Sequence, residues 1–229
     1  MRGAEGKLGD ARWAGEDLNR GVIGGIDEAG RGALVGPLVI AGVSLDEASL
    51  SELKLAGVKD SKKLSPARRE RLAELIRERA KSTVVVEVSP HEIDMREKRL
   101  MNLNTLELLK MAQIAKRLSC PTIYVDAVDT NERRFGAALS NRVPSVSFVS
   151  EHAADENYTV TGAASIIAKT VRDRRIRDLE SSYGTMGSGY PSDARTISFV
   201  RDYLLRNDDF PPFLRRSWKT VRRLERMHA

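Results

Sequence analysis

Acidic side chains that interrupt apolar, β-rich runs are the residues of this sequence best placed to do chemistry. In Ile26-Asp27-Glu28-Ala29 an apolar run ends in two acids, and Tyr124-Val125-Asp126-Ala127 repeats the pattern. Neighbouring side chains on a strand point to opposite faces, so Asp27 and Glu28 can serve one site only where the strand ends or twists. An unpaired carboxylate is costly to bury, so an acid there needs a cation, a hydrogen-bond network or water. Read singly, each acid could also face solvent or cap the next turn; two such strand ends in one small sheet point to a shared site. A third contributor comes from residues 150–169, where Asp155, Glu151 and Glu156 compete on equal terms. Three or four convergent Asp/Glu side chains, without Cys or several His, suit Mg²⁺ or Mn²⁺ rather than zinc. Two such ions about 4 Å apart can activate a water and stabilise the leaving oxygen in phosphodiester cleavage.

The elements that must carry these acids follow from periodicity and punctuation. GVIGGIDEAG reads as a first strand, and ALVGPLVIAGVSL as the bent second strand of a hairpin. Ser65-Pro66 starts a helix, with Ser as cap and Pro at the first helical position. Strands are expected at 82–89, 122–126 and 144–149, and helices at 103–118, 161–183, 193–206 and 213–227. Early strands followed by alternating helices give an α/β fold, a mixed sheet covered by helices with a small helical C-terminal subdomain. The division expected is a polar tail over 1–20, a catalytic domain over 21–192 and a basic helical subdomain over 193–229.

Several ordered blocks resemble ribonuclease HII, in its archaeal form. They are Asp27-Glu28-Ala29-Gly30-Arg31-Gly32, Val58-Lys59-Asp60-Ser61-Lys62-Lys63-Leu64-Ser65, Tyr124-Val125-Asp126, Ala163 to Lys169 (AASIIAK), Gly187 to Asp193 (GSGYPSD) and Arg216-Ser217-Trp218-Lys219-Thr220. The resemblance implies an RNase H-like fold and metal-dependent endonucleolytic cleavage of RNA in RNA–DNA hybrids. It extends to single ribonucleotides embedded in duplex DNA, to products with 3′-hydroxyl and 5′-phosphate ends, and to a place in ribonucleotide excision repair and DNA replication. The family's four metal-binding acids fall on Asp27, Glu28, Asp126 and Asp155, the last placed by His152-x-x-Asp155-x-x-Tyr158. Gly30-Arg31-Gly32 matches the loop whose backbone senses a ribose 2′-hydroxyl, and glycine permits that approach. Tyr190 matches the tyrosine that packs on the deoxyribose 3′ to the cut. Ribonuclease HIII fits less well, since it lacks this loop and tyrosine pairing.

Basic residues supply candidate phosphate contacts. Ser165, Lys169 and Arg172 are spaced to share one helix face, and Lys62 lies in a loop before a capped helix. His91, His152 and His228 have no metal-ligand spacing. Of these His152 could assist proton transfer but more simply has a structural role, and Cys120 reads as a core thiol.

Composition bounds the remaining choices. The chain has 229 residues, 38 Lys+Arg, 32 Asp+Glu and a formal charge of +6. Residues 211–229 hold six basic groups (Arg215, Arg216, Lys219, Arg222, Arg223 and Arg226) against one acid, Glu225, so the surplus sits in the last predicted helix. That helix is expected to grip a duplex backbone away from the cut, and to be removable without loss of the acidic site. One cysteine fits a reducing compartment, and the longest apolar stretch, 11 residues over 33–43, is too short to span a membrane. A cytoplasmic monomer is expected, acting on RNA–DNA hybrids and ribonucleotide-containing duplex DNA, with no membrane association and no evident sliding-clamp peptide. A non-catalytic nucleic-acid-binding module has no use for acids beside its phosphate groove. A junction resolvase on the same fold would cut all-DNA substrates, against the Gly-Arg-Gly and Tyr190 pairing.

Overall fold

The computed structural model describes residues 21–58, 64–207 and 209–227. Lys62, the tail over 1–20 and His228 therefore lie outside the described residues. Five strands form one mixed sheet: β1 (Ile23–Ala29), β2 (Leu38–Leu45), β3 (Ser82–Val88), β4 (Thr122–Asp126) and β5 (Ser147–Glu151), in the order β3-β2-β1-β4-β5. β1 to β3 form an antiparallel meander, whereas β4 and β5 join in parallel. Parallel neighbours need long crossovers. These are made by α3 (Pro90–Lys98) with α4 (Leu103–Leu118), and by α5 (Glu132–Arg142).

Helices cover both faces of the sheet. On one side Ile26, Leu38 and Ile40 pack with Met111, Ile114 and Leu118 of α4. On the other, Val39, Ala41 and Val43 meet Ala163, Ala164, Ile167 and Ala168 of α7 (Thr159–Tyr183), with α1 (Glu47–Leu55) and α2 (Pro66–Arg79) alongside. This two-sided cover explains why every residue of β2 is buried and why its sequence is apolar without alternation. Helix α7 is buried on nearly all sides from Val160 to Ala168, which removes the amphipathic pattern of a surface helix.

Small residues let α7 come close. A Cβ at Gly25 would lie 2.4 Å from the carbonyl carbon and oxygen of Val160. The helix thus begins against the middle of β1 and carries its next turns toward the strand's acidic end.

The chain departs from the sequence-based expectations at three kinds of place. β5 runs to Glu151 rather than stopping at 149, and pairs Glu151 with Asp126. Helices α1, α3 and α5 were not expected, although Asp46, Ser89 and Asn131 cap them through hydrogen bonds from Ser49, Glu92 and Arg134 N–H groups. At the C-terminus α8 (Ala194–Arg206) matches, but the last helix, α9 (Lys219–Arg226), starts six residues later than predicted. Residues 213–215 are instead held along the loop that follows β1. Gly36 N–H donates to Phe213 O at 2.8 Å, Arg215 N–H to Leu34 O at 3.0 Å, and Val35 and Leu214 form a β-bridge. Leu34, Val35, Phe213, Leu214, Val221 and Leu224 then share one apolar cluster.

That attachment corrects the expectation of a removable basic handle. Arg215 is fully buried, Arg216 pairs with Glu225 at 2.6 Å and Arg222 pairs with Glu97 at 2.5 Å. One of the six cations is thus withdrawn from solvent and two are exposed but paired with acids, while Lys219, Arg223 and Arg226 are also exposed. Deleting 211–229 would also strip the partners of Leu34 to Gly36.

The close approach at Gly25 gives a direct test of the packing. Gly25→Ala places a methyl group against backbone that side-chain rotation cannot move, and is expected to destabilise the fold by about 2–3 kcal/mol in urea denaturation. A change within about 0.5 kcal/mol would show that α7 does not press on β1 as described.

Candidate active site

The parallel register of β1 and β4 sets Ile26 beside Val125, so Asp126, the last residue of β4, stands beside Asp27, two residues before the end of β1. Alternation sends Asp27 to the α7 face and Glu28 to the α4 face, at the place where β1 gives way to the loop. Asp155 arrives from α6 (Ala154–Asn157), a single turn between β5 and α7. Asp126 fixes that turn, since its Oδ1 accepts the Ala154 N–H at 3.2 Å.

Ser165 and Lys169, one turn apart on α7, join the acids. The Ser165 hydroxyl donates to Asp155 Oδ2 at 3.5 Å and favours the ionised form of the neighbouring Asp27. Lys169 Nζ donates to Ser165 Oγ at 2.8 Å and stands 3.8 Å from Asp155 Oδ2. Ser165 is fully buried, so it faces the carboxylates rather than an outer phosphate surface.

Burial and mutual repulsion dominate the electrostatics. Asp27 is pushed up to about 7, first by burial and then by Asp126 and Asp155, with Ser165 and Lys169 opposing. Glu28 is held well above the ordinary glutamate range by burial, then by Asp27, Glu107 and Asp126, with Arg31 opposing. Asp27, Glu28, Asp126 and Asp155 therefore share one field. They do not close into a tight shell: among the described residues, no group of three or more His, Cys, Asp or Glu is arranged to hold an ion by itself. Placement of Asp27 and Glu28 on opposite faces of β1 accounts for the spread. His152 is outside this group, its Nδ1 3.2 Å from Ala127 O and its N–H bonded to Glu132.

Beside the acids lies a groove of about 340 Å³, lined in part by Glu28, Gly30, Arg31, Gly32, Lys169 and Tyr190. Gly30 has φ of +87°, and a Cβ there would meet Arg172 Nε at 2.5 Å and Pro37 O at 2.8 Å, so both conformation and space call for glycine. Gly32 differs, since nothing lies within 4 Å of where its Cβ would be. Tyr190 stacks on the guanidinium of Arg172, 4.5 Å from ring centroid to Cζ, and Arg172 Nη2 donates to Ser188 O at 3.0 Å.

Arg172 is thus a buried support of the groove rather than an exposed phosphate contact on the face its spacing suggested. Two further charged residues shape the site: Glu107, which had no place in the sequence-based reading, and Arg215, which was read there only as part of the basic terminus. Glu107 is fully buried and its two carboxylate oxygens share the Arg31 Nε–H, at 3.0 and 3.1 Å, while Arg215 holds the carbonyl of Arg31. A signal for Glu107 existed. It sits in register with Met111, Ile114 and Leu118 on the inward stripe of α4, where an acid must find a partner. Arg172 likewise falls one turn from Ala168 and from Ile176 on the inward side of α7.

The family model for ribonuclease HII matches residues 24–221. Ribonuclease HII of Thermococcus sibiricus is 45% identical over 206 residues, covering 89% of this chain and 91% of its own. The ribonuclease H2 crystal structure from Pyrococcus horikoshii superposes with a TM-score of 0.85 at 40% identity, covering 90% of this chain and 98% of that one. The RNase HII of Archaeoglobus fulgidus, solved in a complex with PCNA, gives 0.82 at 42% identity, covering 88% and 96%. With strand-end acids, a flanking glycine loop and a sheet of this order, the chain belongs to the ribonuclease HII family, the type 2 ribonucleases H, which are metal-dependent endonucleases acting on RNA–DNA hybrids.

Proposed function

We propose that the chain cuts the RNA strand of RNA–DNA hybrids and also cuts at single ribonucleotides within duplex DNA, leaving 3′-hydroxyl and 5′-phosphate ends. The observation that carries this reading is the meeting of Asp27, Asp126 and Asp155 in one electrostatic field, at the edge of a groove lined by Gly30, Gly32 and Tyr190. Glu28 lines this groove, and its glycines leave backbone open to a sugar edge.

Asp27, Glu28, Asp126 and Asp155 would hold Mg²⁺ or Mn²⁺. The donor set fits, being all carboxylate oxygen, and Glu28 Oε2 is a buried oxygen without a hydrogen-bond partner. The ions, two of them in this proposal, supply positive charge for the attacking water and the leaving oxygen.

The protein's own groups do the rest. Ser165 and Lys169 orient Asp155, and Lys169 at the groove wall adds a cation for a phosphate. Gly30-Arg31-Gly32 presents backbone to the ribose 2′-hydroxyl, the group that separates RNA from DNA. Tyr190, steadied by Arg172, offers its ring to the deoxyribose on the 3′ side. Lys62, outside the described residues, and the exposed Lys219, Arg223 and Arg226 add sequence-independent contacts to phosphates. A catalytic unit over 21–192, with the tail over 1–20 before it and residues 193–229 packed back onto the loop after β1, is the organisation proposed.

Asp126→Asn is expected to reduce cleavage of a duplex with one ribonucleotide by at least about a thousandfold while duplex binding persists; undiminished turnover would overturn the assignment. Gly32→Ala has room in the free protein and an ordinary backbone, so its melting temperature should match the parent. Its added methyl stands where a ribose would approach, and kcat/KM should fall by at least about tenfold.

Asp27 also gives a pH signature in divalent-free buffer. An unfolded aspartate ionises near 3.8, whereas folded Asp27 keeps its proton to about 7. The folded state is therefore favoured at low pH, and that advantage is lost as pH rises between these values. Asp27→Asn removes the loss. The variant is expected to melt above the parent at pH 8 by on the order of 5 °C, with the gap closing near pH 4. A gap independent of pH would refute this origin.

A further inference from the structure

Two buried charged residues outside the proposed metal-binding set converge on Arg31. From one side the two carboxylate oxygens of Glu107 on α4 share the single Arg31 Nε–H, and Asn104, a turn earlier, accepts a bond from Nη2 at 2.5 Å. From the other side Arg215 donates from Nη1 to the Arg31 carbonyl at 2.9 Å, and from Nε and Nη2 to Gly36 O at 3.1 and 3.0 Å. Glu107 and Arg215 have no exposed surface. Burying a guanidinium is costly unless its donors are used, and here they are directed to the carbonyls of a single loop, 31–36.

Arg215 is itself fixed. Trp218 lies between it and Arg96, with ring-to-Cζ distances of 5.1 and 4.9 Å. Asp94 of α3 holds the same turn by accepting the N–H groups of Arg216 and Ser217, each at 2.9 Å. The loop after β1 is therefore anchored through Arg31 to α4 on its side-chain face and through the carbonyls of Arg31, Leu34 and Gly36 to the C-terminal segment. Gly32 stands free between these anchors.

We propose that Arg215 and Glu107 are positioning residues that set the distance between the Gly30–Gly32 backbone and the acids at the end of β1. They thereby fix where a ribose in the groove places its phosphate. This rests on the reading of that loop as the ribose contact. Neither residue touches substrate in this scheme; each acts through Arg31. Lysine at 215 keeps a charge but cannot reach two carbonyls with a planar fork. Glutamine at 107 keeps the shape of glutamate but lacks the charge that pairs with Arg31.

The test uses the full chain with Arg215→Lys, Glu107→Gln and Gly32→Ala. Kinetics are measured on a duplex with one ribonucleotide, well below each melting temperature, with Mn²⁺ affinity measured separately by calorimetry. Arg215→Lys and Glu107→Gln are expected to lower kcat by at least about tenfold, because a displacement near 1 Å costs up to about a hundredfold. KM and Mn²⁺ affinity should stay within about twofold of the parent. A lowered melting temperature with kcat unchanged would show a role in stability alone and overturn the proposal. So would a parallel loss of Mn²⁺ affinity, which would place the effect at the acids. If Arg215→Lys does not fold, Glu107→Gln decides by the same criteria. Gly32→Ala separates the two readings. Full activity there would sink the loop as ribose contact, whereas impairment there with full kcat in both positioning variants would sink only the positioning role.

Discussion

Holding several carboxylates together in a largely buried place is the constraint on which the rest of this structure depends. The parallel pairing of β1 with β4 forces it, because the register that seats Ile26 beside Val125 leaves Asp27 and Asp126 side by side. Burial and repulsion both raise the cost of their ionised forms, and the fold answers on each face of the sheet. On the α7 face Ser165 and Lys169 stand against Asp27 and Asp155; on the α4 face Arg31 partly offsets the field at Glu28. In the proposed scheme, the remaining excess of negative charge would be met by a divalent cation rather than by a further basic side chain.

That arrangement explains why α7 is built as it is. A helix that brings a serine and a lysine to the end of β1 must first pass over the strand's middle, and only a glycine allows the approach seen at Gly25, while Gly162 lets the same helix lie against the Asp155 carbonyl of α6. Further along, the helix carries Arg172 beneath Gly30 and Tyr190. One rigid element thus indexes the acids, the loop and the tyrosine to one another, which a set of independent loops could not do.

The strands and the acids that end them were legible in the sequence, because an apolar run terminated by Asp is a pattern local to five or six residues. Asp155 was not separable from Glu151 and Glu156 by composition. The structure distinguishes them by burial, with Asp155 enclosed next to Ser165 while Glu151 is only half-buried and accepts a hydrogen bond from the Tyr158 hydroxyl. Helices α1, α3 and α5 carried readable caps at Asp46, Ser89 and Asn131. Their weak apolar stripes gave periodicity little to detect, since only two or three residues of each are buried. The failure at residues 213–218 has another cause. Its basic and apolar residues resemble a helix in composition, but the backbone of 213–215 is claimed by Leu34 and Gly36 about 180 positions away, a contact with no local trace.

The same long-range contact changes what the basic C-terminus means. Net charge describes a chain's attraction to a polyanion only for cations that reach solvent, and the burial of Arg215 removes one from that count while giving it a structural task. A buried arginine bonded to carbonyls keeps its charge uncompensated by a direct acid partner, so such a site persists only if the geometry it imposes is worth the desolvation. Here the geometry imposed is that of the segment joining β1 to β2, which begins at the acids and ends beneath the C-terminal turn. Under the proposed reading of that loop, rigidity would matter because a backbone that senses a 2′-hydroxyl discriminates by distance: a loop free to retreat would accept a deoxyribose nearly as well as a ribose. The charge that seemed to advertise a partner is, at Arg215, part of the ruler by which the partner would be measured.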